Sequence, residues 1–168
     1  MKRMGPWCGV VVMLAVAFAS AVSAAPAGPA SAAGWPKIKS VTFQVYHRVF
    51  QNFHDEVTAP LKQEFRVGDS EFTGRIIDWV PDFDMDIKAH KVTSRGAEPK
   101  NPAFRIVVRK NNVPQDTVWA FVNMPPHFAR KSLLAFLTSE VQFVDRAPIV
   151  SNDSLAVRAR QVQKELKK

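Results

Sequence analysis

The chain has 168 residues, 23 of them basic and 15 acidic, for a formal net charge of +8, and it carries a single cysteine. That length suits one ordinary domain rather than two. With Cys8 alone, an intrachain disulfide framework, dithiol redox exchange and haem attachment through a paired-cysteine motif are all excluded.

At the N-terminus Lys2 and Arg3 precede an apolar run from Val10 to Ala19, and Val22-Ser23-Ala24 supplies small residues at a cleavage position. Basic start, apolar centre and small-residue end, in that order, predict a signal peptide over 1–24. The run is too short to cross a hydrocarbon layer of about 30 Å as a helix, which needs roughly 20 apolar residues. The expected location is therefore periplasmic or secreted. Removal of the signal would take Cys8 with it and leave a mature chain without a thiol. Residues 25–36, mostly alanine, proline and glycine, cannot bury enough apolar surface to order themselves and read as a flexible tether.

The main domain is expected over 37–150. From Ile38 the chain alternates, with Val41, Phe43 and Val45 on one face and Thr42, Gln44 and Tyr46 on the other, the period of a half-buried strand. Residues 47–60 look polar and irregular, with Phe50 and Phe53 as candidate plugs of the core. Lys62 to Val67 and Glu71 to Val80 are two strand-like runs on either side of Gly68-Asp69-Ser70, a hairpin signal. Pro81 ends the second run, because proline has no amide hydrogen for a ladder. Residues 82–102 show no clear period and read as a long loop, and loops of that length tend to be functional or disordered. Ala103 to Arg109 and Thr117 to Asn123, rich in β-branched and aromatic residues, predict a second hairpin across Lys110 to Asp116. Arg130 to Leu137 suggests a short helix with Leu133, Leu134 and Leu137 inward, and Val141 to Val144 a last strand.

Residues 151–168 predict a basic amphipathic helix. Asp153 or Ser154 can cap it, and Leu155, Ala159, Val162 and Leu166 follow one face. Its cations Arg158, Arg160, Lys164 and Lys167 are candidates for contact with an anionic membrane surface or an acidic partner. Most of the chain's positive excess lies on this tail, so the charge does not describe a nucleic-acid-binding face, and no nucleic acid is expected as a partner. The fold expected is mainly β, a single antiparallel sandwich or partly open barrel of six or seven strands with a C-terminal α-helix.

Few residues point to chemistry. Asp82, Asp84 and Asp86 alternate like the opening of a calcium loop, but Ile87 stands where the turn glycine belongs and Thr93 where the closing glutamate belongs. The expected state is an acidic turn pinned to the core by Phe83 and Met85, with no metal. The four histidines have no metal-ligand spacing. Among them His127 stands out, because two prolines fix the backbone before it. No serine sits in a nucleophile-elbow sequence and there is no phosphate-binding glycine loop, so no cofactor is expected. Trp79, Trp119, Phe121 and Phe128 would form an apolar binding surface if one sheet face is left open. The candidate ligand-binding residues are thus Asp82, Asp84, Asp86, Trp119, His127 and Phe128.

The run from Phe65 to Phe128 reads FRVGDSEFTGRIIDWVPDFDMD, then VTSRGAEPKNPAFRIVV, then VWAFVNMPPHF. It resembles the extracytoplasmic β-rich region of cytochrome c biogenesis proteins of the ResB type. The resemblance implies a β-sandwich-like domain in a membrane-proximal setting where haem proteins are assembled, here as a soluble accessory or interaction module. The functional expectation is an exported, non-enzymatic binding or assembly module with a protein or lipid partner in the cell envelope. The alternative is an envelope hydrolase using carboxylates of the Asp82 to Asp86 loop with His127.

Overall fold

The structure, a computed structural model, describes residues 34–89 and 91–152. The expected signal peptide, nearly all of the tether and the expected C-terminal helix, with Arg158, Arg160, Lys164 and Lys167, lie outside the described residues.

Among the described residues the chain forms ten strands rather than six or seven, and they build a mainly β, nearly closed barrel-like sheet. In chain order they are β1 (Ile38–His47), β2 (His54–Ala59), β3 (Glu64–Arg66), β4 (Phe72–Val80), β5 (Phe83–Asp86), β6 (Lys91–Ser94), β7 (Ala103–Lys110), β8 (Val113–Phe121), β9 (Leu134–Phe143) and β10 (Ile149–Val150). The main sheet runs β2-β1-β9-β8-β7-β4-β3, with β10 added beside β9, while β5 and β6 form a separate two-stranded ladder. The two edges of the main path, β2 and β3, are consecutive in sequence and joined only by Pro60–Gln63. Five residue steps span no more than roughly 18 Å, so the sheet must curl until its edges approach each other.

β1 carries the expected alternation, with Val41, Phe43 and Val45 fully buried. The first predicted hairpin is also present: β3 and β4 pair antiparallel through Phe65 and Gly74, and Gly68 takes a φ of 49° in the turn between them. The second hairpin is tighter than its sequence suggests. β7 and β8 turn on Asn111-Asn112, both at positive φ (49° and 65°), and Pro114 is accommodated because the register slips beside it, between Val108 and Arg109.

Three expectations are corrected. Residues 47–60 are not wholly irregular, since His54–Ala59 pairs along β1 as an edge strand that needs apolar side chains on one face only, supplied by Val57 and Ala59. Residues 82–102 are not a loop without structure, because β5 and β6 pair from Phe83–Ser94 to Asp86–Lys91. Arg130 to Leu137 is not a helix: Leu134 to Ser139 belongs to β9 and is buried on both faces. A strand covered on both sides loses its alternation, and its leucine spacing then imitates a helix.

Barrel walls enclose an aromatic interior. Phe43 stacks on Phe65 at 6.2 Å and meets Phe104 and Phe136 edge-on at 6.0 and 5.9 Å. Each buried ring of this size contributes on the order of 1.5–3 kcal/mol through area removed from water. Trp79, which could have joined an open apolar face, is buried instead, stacked on Phe104 and capped edge-on by Trp35 at 5.5 Å. Strand direction defines two ends. The lower end gathers the loop 48–53, the turns 67–71 and 111–112, and residues 129–133, while the upper end carries 60–63 and the β5–β6 insertion.

Candidate functional site

The sequence Thr117-Val118-Trp119-Ala120-Phe121 alternates across β8. Val118 and Ala120 face the barrel core, leaving Trp119 and Phe121 to pack against the insertion on the outside. The β5–β6 hairpin folds over this outer face, and Phe83 meets Phe121 edge-on at 4.8 Å and Trp119 at 6.1 Å.

The hairpin is clamped at its base. Asp82, 8% exposed, accepts a hydrogen bond from Arg95 Nη2 at 2.7 Å, and its carbonyl accepts the Arg95 N–H at 3.0 Å. Phe83 N–H donates to the Asn101 carbonyl at 2.9 Å. Asp82 therefore serves as an anchor. Asp84 lies exposed on β5 opposite Thr93, and Asp86 Oδ1 accepts the N–H groups of Lys88 and Ala89 at 2.9 and 3.0 Å, which caps the hairpin turn.

A strap, residues 122–133, descends from the end of β8 to the start of β9. Its lower part is fixed by Arg48, whose Nη2 donates to the Ala129 carbonyl at 2.6 Å and Nη1 to the Arg130 carbonyl at 3.2 Å. The same guanidinium lies over the Phe128 ring at 5.3 Å from its centroid. Lys131 N–H donates to Asp116 Oδ2 at 3.2 Å.

Hairpin, β8 and strap enclose a pocket of about 580 Å³. Its lining is almost wholly apolar: Phe83 and Met85 from the hairpin, Trp119 and Phe121 from β8, and Met124 and Pro125 from the strap, with His127 as the titratable side chain. The structure thus brings together Trp119 and His127. It leaves Asp82, Asp84 and Asp86 outside the lining, and it turns Phe128 to Arg48 instead. Among the described residues, no hydrogen bond or ion pair joins Asp84 or Asp86 to His127, and no three histidine, aspartate or glutamate side chains gather to hold a metal ion. Sequence reasoning missed Met124, Pro125 and Ala129 as wall residues. They line the pocket only because the strap doubles back over β8, a path that no local period announces.

A smaller hollow of about 330 Å³ lies between residues 61–62 and β4, where β4 slips register between Ile76 and Asp78. Burial raises the Asp78 carboxyl above the usual range, while the Trp79 amide and the charges of Arg105 and Lys62 oppose that shift. On β4's approach, Glu71 is held below the usual range, first by its hydrogen bond with Lys110.

Among the described residues, no helix is long and apolar enough to cross a membrane. No family model, no curated protein and no solved structure matches the chain.

Proposed function

We propose that this chain is an exported binding module that takes an apolar ligand into the pocket between β8, the β5–β6 hairpin and the strap, in the service of cytochrome c or envelope protein assembly. The observation that carries the reading is the pocket itself. At about 580 Å³ it lies within the roughly 300–1,000 Å³ of small-molecule sites, and its walls are aromatic rings and thioethers with a single imidazole to orient a polar end. Methionines such as Met85 and Met124 suit such a role because the unbranched, polarisable thioether adapts to irregular apolar shapes. The segment that resembles the ResB-type region, Phe65 to Phe128, contains nearly every wall residue, and this supports the assembly setting. The hydrolase alternative needs a carboxylate on His127, and none lines this pocket.

The test uses an uncharged apolar fluorophore such as N-phenyl-1-naphthylamine. Its emission should rise on saturable binding, with energy transfer from Trp119. Trp119→Ala should weaken binding about tenfold, since burying a large aromatic contributes on the order of 1.5–3 kcal/mol, and Met124→Asp should abolish it. Undiminished binding by both folded variants would show that the ligand sits elsewhere.

A further inference from the structure

The lower end of the barrel presents apolar side chains to solvent in a way that the pocket does not explain. In the β1–β2 loop Val49 and Phe50 are 64% and 65% exposed, and beside them Leu133 is 37% exposed. Val113, at the β7–β8 turn of the same end, is 58% exposed. Single exposed aliphatics are ordinary, but a group of them at one end of a barrel marks a contact surface.

The loop is held in shape before any partner arrives. His47 Nδ1 accepts the N–H groups of both Val49 and Phe50 at 3.1 Å, and the His47 and Phe50 rings lie 4.7 Å apart. Phe53 N–H closes the turn on the Phe50 carbonyl at 3.0 Å, and Arg48 N–H ties it to the Leu133 carbonyl at 2.8 Å. Little conformational entropy is left to lose on docking.

Charge decides the partner. Arg48, Arg130 and Lys131 are exposed around the apolar tip. Of the carboxylates at this end, Glu71 pairs with Lys110 at 2.7 Å, Asp116 keeps its charge while accepting the N–H groups of Thr117 and Lys131, and Asp55 is half-buried beside Gly68 with Oδ2 unbonded, away from the solvent-facing tip. Asp69 is the exposed acidic residue left beside them. At the other end the β5–β6 turn offers the contrast, because Ile87 is 77% exposed but stands between Asp86 and Lys88 with Asp84 nearby.

We infer that the lower end of the barrel docks on an anionic lipid bilayer, with Val49 and Phe50 entering the acyl boundary and Arg48, Arg130 and Lys131 pairing with headgroup phosphates. Apolar insertion combined with a cationic collar is the general requirement for a monotopic contact, and each cation near such a surface strengthens binding about fivefold. The inference uses none of the cationic C-terminal residues and does not depend on what fills the pocket. It does place Ala129, a pocket wall residue bonded to Arg48, close to the membrane surface.

The test reads single positions in the full chain, so that contacts made by either terminus do not obscure it. In a Cys8→Ser background, Phe50→Cys, Val49→Cys and Ile87→Cys are each labelled with a nitrobenzoxadiazole dye and mixed with vesicles of one part phosphatidylglycerol to three parts phosphatidylcholine. The dye at 50 and at 49 should shift to the blue and be quenched by nitroxide-bearing lipid, while the dye at 87 should stay in water. Glycerol phosphate without a bilayer should produce no shift. Arg130→Gln with Lys131→Gln should raise the half-saturating lipid concentration by roughly twenty-five-fold. No shift at 49 and 50, an equal shift at 87, or indifference to the two glutamines would overturn the inference. Because positions 49, 50, 87, 130 and 131 are all exposed, retained near-ultraviolet circular dichroism is expected throughout.

Discussion

Gly74 is paired with Phe65, and the ring lies across it so closely that a Cβ added to Gly74 would sit 2.4 Å from Phe65 Cζ. Phe65 in turn stacks on Phe43 and meets Phe136 edge-on at 6.3 Å, so that its retreat would disturb the aromatic core. Gly74→Ala is therefore expected to cost about 1–3 kcal/mol by overpacking, visible as a lower urea midpoint with an unchanged slope. Combining it with Phe65→Leu should recover part of the loss, and an additive double variant would show that the ring is not the obstacle. Asp78 gives a pH signature. Its folded-state pKa is raised, so the folded state holds the proton more tightly and stability declines as pH rises from the unfolded value through the folded one. Asp78→Asn keeps an oxygen for the Trp79 N–H and removes the buried charge. Its Tm should exceed the parent's at pH 7 and converge with it near pH 3. An equal gain at both values would mean that burial of charge is not the cause. Glu71 has the opposite sign: its pairing with Lys110 supports the fold above the ordinary carboxylate range and fades as pH falls through its lowered value.

Among elements, the β7–β8 hairpin shows how much rests on two residues. Asn111 and Asn112 both occupy the left-handed region, which asparagine tolerates and most residues do not. Asn112→Ala should destabilise by about 1–2 kcal/mol, and hydrogen exchange should quicken first at the lower ends of β7 and β8. Protection unchanged there would contradict a turn-limited hairpin. The turn residues were legible in the sequence, as were β1 and the β3–β4 hairpin, because each has one wet and one dry face or a glycine at a sharp corner. β9 was not, since Leu134 to Ser139 is dry on both sides and its period is erased. β5 and β6 were not legible either. Phe83 alternates with charge for only four residues, too short a signal, and the ladder is secured by the Asp82–Arg95 pair rather than by pattern.

At the scale of the whole molecule, composition and alternation were enough to indicate one mainly β body, and a partly open barrel follows once the edge strands β2 and β3 are seen to be neighbours in sequence. Only two of the candidate ligand-binding residues reach the pocket: Trp119, on an alternating strand, and His127, after a fixed Pro-Pro pair. Much of the rest of the wall comes from distant chain, since Phe83 and Met85 reach β8 only through the insertion and Met124 only through the returning strap. The carboxylates drew attention because they are chemically active in isolation, whereas the folded chain uses Asp82 and Asp86 as hydrogen-bond acceptors that hold the hairpin together.

β8 and β9 run parallel and meet through the register pair Phe121–Leu137, whereas the neighbouring strand pairs are laddered along most of their length. The β8–β9 seam is thus the most sparsely laddered line among these neighbours, and the pocket's floor is the outer face of β8, the strand that borders it. A molecule lodged between Trp119 and the strap would tie the β8 margin of that seam to the segment that leads into β9. Occupancy of the proposed pocket is then expected to stiffen the barrel where its ladder is shortest.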